Sequence, residues 1–161
     1  IIIIIYYNPN IYPKEEYLHR KSEQLRLIKE MSFKNKVSFI DSDYNPFSYD
    51  IAIKGFENNK EGEYRCHECY KLRLEGTAKI AKENNFDYFT STLSVSPYKN
   101  ADWINEIGYE LEQKYQIKWL VSDFKKNEGY KRSIELSKEY NLYRQDYCGC
   151  KYSLREVKEH A

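Results

Sequence analysis

Four short apolar runs decide what this chain can fold into. Residues 1–7, 37–40, 88–93 and 117–121 are each rich in Ile, Val, Phe or Tyr and end in polar or turn-forming residues. The first, continuously apolar and mostly β-branched, reads as a buried strand ending in a turn, and the other three read as further strands. The stretches between them carry helical period. Pro13-Lys14-Glu15-Glu16 opens a helix with proline and acids in its first turn, and Leu18, Leu25 and Ile28 form its apolar side. Leu74, Thr77, Ala78 and Ala81 share one face of a second helix, and Ile104, Ile107, Leu111 and Tyr115 one face of a third. A short helix is predicted around 48–55, followed by an exposed loop containing Gly55 and Gly62. A further helix is predicted over 129–140, and the last twenty residues hold a short polar one. Strands alternating with helices predict βαβ crossovers: one α/β domain over 1–161, with a mostly parallel sheet and helices on both faces.

In such sheets ligands sit beyond the carboxyl ends of the strands. Asn8-Pro9-Asn10, Asp41-Ser42-Asp43, the loop 94–100 and the segment 122–126 all follow a predicted strand there. Their convergence, with the cysteines flanking it, marks the expected active site.

The only four cysteines form two close pairs, Cys66-x-x-Cys69 and Cys148-Gly149-Cys150. The first pair lies where a loop enters a helix, an end whose free N–H groups and partial positive charge favour thiolates, with Arg65 adding charge beside it. Two thiolates at this spacing suit one tetrahedral metal, two irons of one cluster, or a thioredoxin-like dithiol. The second pair, with one residue between its cysteines, would close a small strained disulfide ring, easily reduced and so redox-active, and Gly149 permits the bend. As thiolates it would instead clamp a single metal ion. A four-cysteine zinc site fits less well, because the second pair has the wrong spacing and lies far from the first. His19, His67 and His160, the only histidines, are read as non-ligands.

The formal charge of +1, from 26 basic and 25 acidic residues, provides no global field for a polyanion, so a nucleic acid would have to be held by a local patch. Lys125, Lys126, Lys131, Arg132 and Arg144 supply one in the last third, interleaved with Tyr130, Tyr140, Tyr143 and Tyr147. Cations hold phosphate and rings stack on unpaired bases; the alternative is a solvated charged face. The seventeen tyrosines are otherwise read as core edge or surface. No run of roughly 18 apolar residues is present, so no membrane partner is expected. Few, motif-clustered cysteines fit a reducing cytosol and a cytoplasmic location. The chain opens inside a strand-like run without an initiator methionine, which leads to the expectation that an N-terminal piece is missing.

The stretches YYNPNIYPKEEYLHR, RCHECYKLRLEGTAKIAKENNFDYFTSTLSVSPYKN and SDFKKNEGYKRSIELSKEYNLYRQDYCGCKYS together resemble the QueH family of epoxyqueuosine reductases, over nearly all of residues 6–153. The resemblance implies a Rossmann-like (HUP-like) fold, here without its first strand. It implies deoxygenation of epoxyqueuosine, already installed in tRNA, to queuosine, the last step of queuosine synthesis. It further implies a [4Fe–4S] cluster, a possible additional mononuclear iron and an electron donor that the sequence does not identify. Carried onto this sequence, Cys66 and Cys69 are cluster ligands, and Cys148 and Cys150 are a redox-active pair or a second-metal site. Asp123 is then a candidate acid or supporting group. Lys99, Lys125, Arg132 and Arg144 would face tRNA phosphates, and Tyr7, Asn8 and Asn10 the base pocket. Family members also carry a Cys-Cys motif upstream of the strand that begins here at Ile1, so two cluster ligands and one strand are expected to lie outside this sequence. Two readings from other classes stand beside this one: a zinc-stabilised RNA-binding module without catalysis, and a thiol–disulfide oxidoreductase acting on proteins.

Overall fold

Hydrogen bonding turns the first apolar run into a strand as expected, but not a buried one: Ile2 is exposed, residues 3–5 are half-buried and only Tyr6 of the strand is buried. In a computed structural model, which describes residues 1–160, β1 (Ile2–Tyr6) pairs in parallel with β2 (Val37–Asp41), from Ile2 against Val37 to Tyr6 against Asp41. The crossover between them contains α1 (Lys14–Glu30). The chain forms two compact units: residues 1–50 with 134 onward, and residues 51–133. Helices α2 (Pro46–Ala52) and α5 (Gly129–Glu139) carry the chain between them. No described helix is long and apolar enough to cross a membrane.

In the first unit the core is aromatic. Tyr6, Ile11 and Tyr17 are buried, with Phe39 and Tyr44 packed against them. Tyr17 stacks on Tyr44 with centroids 4.3 Å apart. A buried phenol needs a partner, and each has one: Tyr6 Oη donates to the Tyr17 carbonyl (3.3 Å), Tyr17 Oη to that of Ser42 (3.2 Å), and Tyr44 Oη to that of Ile11 (2.6 Å). Burial pushes the hydroxyls of Tyr17 and Tyr44 above their ordinary values.

The buried side of α1 differs from the expected one. Leu18 and Leu25 are 50% and 41% exposed, and Tyr17 is the helix's buried residue. A second inward stripe is charged. Glu16, Arg20, Glu23 and Arg26 all bind the segment 140–148. Tyr143 donates its hydroxyl to the Glu16 carboxylate and its N–H to Glu23 Oε2 (2.7 Å). Arg26 donates to the carbonyls of Tyr140 (3.1 Å) and Asn141 (3.2 Å). The helix is turned to satisfy backbone carbonyls of an irregular segment, which leucines cannot do.

The second unit is built on α3 (Tyr64–Glu83) packed against α4 (Ala101–Tyr115). Leu74, Ala78 and Ala81 meet Ile104, Ile107 and Leu111 in the core, as their spacing predicts, while Thr77 is half-buried and donates to the Arg73 carbonyl. Gly108 lets α4 lie on the Trp119 indole: a Cβ there would sit 2.2 Å from the ring.

The strands of this unit are shorter than predicted. Only β3 (Tyr88–Phe89) and β4 (Lys118–Trp119) pair, in parallel. Beyond Phe89 the side chains compete for the backbone: Thr90 Oγ1 donates to the Leu120 carbonyl, and Ser91 Oγ caps a 3-10 turn over Thr92–Val95. Beyond Trp119, Asn105 of α4 takes over, accepting from Ser122 N–H (3.1 Å) and donating to the Ser122 carbonyl (2.9 Å). The structure is thus α/β with parallel strand pairs, one in each unit.

Candidate thiol centres

Each unit carries one cysteine pair. In the second unit, Cys66 and Cys69 lie three residues apart near the start of α3 and so share a helix face. Both are buried. The Asn59 side chain caps this end by accepting from Arg65 N–H (3.2 Å). Arg65 is 1% exposed, and its guanidinium turns back to the carbonyls of Glu57 and Asn59. The loop so tied brings Gly62 N–H to within 3.3 Å of Cys66 Sγ. Gly62 has φ +93°, a conformation L side chains rarely adopt. Tyr70, one residue beyond Cys69, has its hydroxyl pushed up to about 12, chiefly by burial; Lys99 opposes this and the two thiols add to it. Lys99 pairs with Glu61 at 3.5 Å.

Two thiols on one helix face fit two corners of a four-iron cluster, which takes four cysteines. Among the described residues no group of three or more His, Cys, Asp or Glu side chains is placed to hold a metal ion. His67, between the cysteines, contacts Glu68 (3.2 Å) and packs edge-on against Trp103. Tyr64, exposed at the helix start, stacks on the same Trp103, making an aromatic surface that the sequence reading missed.

In the first unit Cys148 Sγ donates to Cys150 Sγ at 3.6 Å, too far apart for a disulfide bond. Cys150 is the N-cap of α6 (Lys151–Glu159), and its sulfur accepts from Ser153 N–H (3.4 Å). Ser153 Oγ in turn accepts from Cys148 N–H (3.3 Å). A sulfur at a helix N-terminus with two donors aimed at it is placed to carry negative charge. Cys150 is buried and Cys148 half-buried, so the partner thiol is the more accessible. Gly149 has φ +123°, and its carbonyl accepts from Tyr12 N–H (2.8 Å). Arg20 donates to the carbonyls of Cys148 (3.1 Å) and Tyr147 (3.2 Å), pairs with Glu16 (2.6 Å) and lies over the Tyr147 ring. Burial, then the Glu16 charge, push the Tyr147 hydroxyl up to about 12, and it donates to the Tyr12 carbonyl. A cleft of about 550 Å³ beside this loop is lined by residues including Glu15, His19, Tyr143 and Asp146.

The remaining predicted residues divide between the units. Tyr7 and Asn8 are half-buried after β1, and Asn10 is buried with its Oδ1 unpartnered among the described residues. The same segment runs on through Ile11 to Tyr12, against Gly149. Arg144 is exposed in the first unit. In the second, Asp123 pairs with Lys125 (3.0 Å) and Lys126 (3.9 Å), and the Lys125 hydrogen bond holds its carboxyl below the ordinary value. Asp123 thus holds two lysines in place after β4. The next residue, Phe124, donates its N–H to Ser94 Oγ (3.1 Å), so the loops after β3 and β4 do meet. Arg132 is exposed on α5.

The molecule is thus a pair of parallel α/β units, each with a cysteine pair at a helix start. The family model described as epoxyqueuosine reductase QueH matches residues 1–156, and the chain belongs to that family. Proteins named epoxyqueuosine reductase QueH are similar along most of it. That of Streptococcus pyogenes serotype M1 is 44% identical over 156 residues, 96% of this chain and 61% of its own length. That of Staphylococcus epidermidis is 44% identical, covering 94% and 66%. That of Thermotoga maritima is 36% identical, covering 96% and 80%. The chain thus spans a little under two thirds of the length of the first two.

Proposed function

We propose that the protein is a cytoplasmic tRNA epoxyqueuosine reductase, removing the epoxide oxygen of epoxyqueuosine in tRNA to leave the alkene of queuosine. The observation that carries this reading is the 3.6 Å contact between the Cys148 and Cys150 sulfurs at the start of α6, in a chain of this family. Loss of the oxygen requires two electrons and two protons. A dithiol has both: as the two C–O bonds break and the C=C bond forms, Cys148 and Cys150 form an S–S bond and their protons leave with the oxygen as water. An external two-electron donor then returns the disulfide to the dithiol. Cys148 is the more accessible thiol of the pair, and Cys150 is buried.

Cys66 and Cys69 are the residues that would hold two corners of a [4Fe–4S] cluster, and a mononuclear iron belongs to the same reading. Such a cluster supplies one-electron transfer when bound. Burial of both thiols and the Gly62 N–H on Cys66 Sγ support that role, because hydrogen bonds to cluster sulfurs and exclusion of water set its potential. Lys99, Lys125, Arg132 and Arg144 face phosphates in this reading, Asp123 orients Lys125, and Tyr7, Asn8 and Asn10 shape the base pocket. The unpartnered, buried Oδ1 of Asn10 supports a polar ligand there. One Rossmann-like (HUP-like) domain over 1–161 completes the proposal.

The test is nucleoside analysis of tRNA from cells that lack their own epoxyqueuosine reductase. Expression of the complete gene product is expected to convert epoxyqueuosine to a nucleoside lighter by one oxygen, and Cys150→Ser to abolish the conversion. Persistence of epoxyqueuosine with the folded wild-type protein would contradict the assignment.

A further inference from the structure

The C-x-C loop is held from outside by one side chain. Arg20 is 90% buried by side-chain area, fixed at Nε by Glu16, and donates one N–H to each of the two carbonyls that precede Gly149. Its Nη1 also fills the space beside Gly149, where a Cβ would come within 2.9 Å of it. A planar guanidinium with two donors in fixed geometry sets the relative orientation of successive peptide groups, which a lysine cannot do. Those peptides carry Cys148 and lead to Cys150, whose sulfurs are in contact.

We propose that Arg20 is a positioning residue for the Cys148/Cys150 pair. By locking the peptides of 147–149 it keeps the sulfurs together, raises their effective concentration toward each other and so favours the disulfide, making the dithiol a stronger reductant. This rests on the reading of the pair as a redox couple. In exchange with glutathione disulfide, the dithiol gives up two electrons and two protons, the S–S bond forms between Cys148 and Cys150, and two molecules of glutathione are released. Arg26 is the internal comparison: it also projects from α1 and donates to two successive carbonyls, Tyr140 and Asn141, but away from the cysteines.

The experiment equilibrates the folded protein without oxygen in glutathione buffers of graded ratio, then alkylates free thiols, digests with trypsin and weighs the peptides. Cleavage after Arg144 and Lys151 puts Cys148 and Cys150 alone in one peptide, and cleavage after Arg65 and Lys71 puts Cys66 and Cys69 in another. Arg20→Met is expected to shift the equilibrium toward the dithiol by about five- to tenfold, the size of one lost charge-assisted contact. Arg20→Lys is expected to shift it in the same direction by less, and serves if the Met variant does not fold by circular dichroism. Arg26→Met is expected to leave it within about twofold. An unchanged equilibrium in folded Arg20 variants, a shift toward disulfide, or an equal shift in Arg26→Met would overturn the inference while leaving the redox reading intact. A wild-type peptide that never oxidises would overturn both.

Discussion

Gly149 is where one methyl group would disturb most. Its φ of +123° is costly for any L side chain, and the added Cβ would push on Arg20 Nη1 and on Ile11 Cγ1 at 3.2 Å. Gly149→Ala is expected to lower stability by about 1–3 kcal/mol in urea unfolding, and a variant as stable as wild type would show that the bend is not needed. The sequence made this glycine legible, because one residue between two cysteines leaves few ways to bring the sulfurs together. It did not make Arg20 legible. The guanidinium binds backbone carbonyls more than 120 residues away, and carbonyls leave no trace in side-chain identity.

The same limit operates at the scale of α1. Glu16, Arg20, Glu23 and Arg26 recur at helical spacing and alternate in sign, a pattern usual for a solvated face. Here that stripe docks the segment 140–148, and both leucines expected inside, Leu18 and Leu25, are exposed. The arrangement has a pH signature. Hydrogen bonds from Arg26, then from Tyr143 N–H, hold the Glu23 carboxyl down to about 2, from an ordinary value of 4.5. A carboxyl depressed in the folded state binds fewer protons there than in the unfolded chain, so its contribution is complete above about 4.5 and is lost as pH falls toward about 2. Denaturant midpoints measured over that window should fall less steeply in Glu23→Gln than in wild type; parallel profiles would show that Glu23 is not tied. Among the other elements, α3 and α4 were legible because their apolar spacing matches their buried faces. The first two strands were legible in place and length, the last two in place only, since Thr90, Ser91 and Asn105 divert their backbone groups into side-chain hydrogen bonds. Gly108→Ala tests the packing of α4 on β4: the Trp119 ring must move, at a cost of about 1–3 kcal/mol in chemical unfolding, and an unchanged midpoint would contradict the contact.

At the scale of the whole molecule, the account separates two chemistries and gives each a pair of thiols. Cys148 and Cys150 meet at a helix N-cap, where the proposal makes them a dithiol, and Cys66 and Cys69 share a buried helix face, where it makes them two ligands of a larger site. Both pairs were visible in the sequence as spacings, and so were the metal and redox options for each. The spacing alone could not say that one pair has its sulfurs in contact and the other lies along a helix face, because that depends on whether a glycine bend or a helical turn separates the cysteines. Nor could it say that Asp123 pairs with Lys125. The central claim is that Cys66 and Cys69 bind an iron–sulfur cluster. Its most direct test is the iron, sulfide and zinc content and the visible spectrum of the complete gene product purified without oxygen, wild type beside Cys66→Ser. The account predicts a brown wild-type protein with about four or five irons per chain, bleached by reduction, and a Cys66→Ser protein that has lost most of that absorbance. A colourless wild-type protein containing zinc, or full absorbance retained in Cys66→Ser, would contradict it.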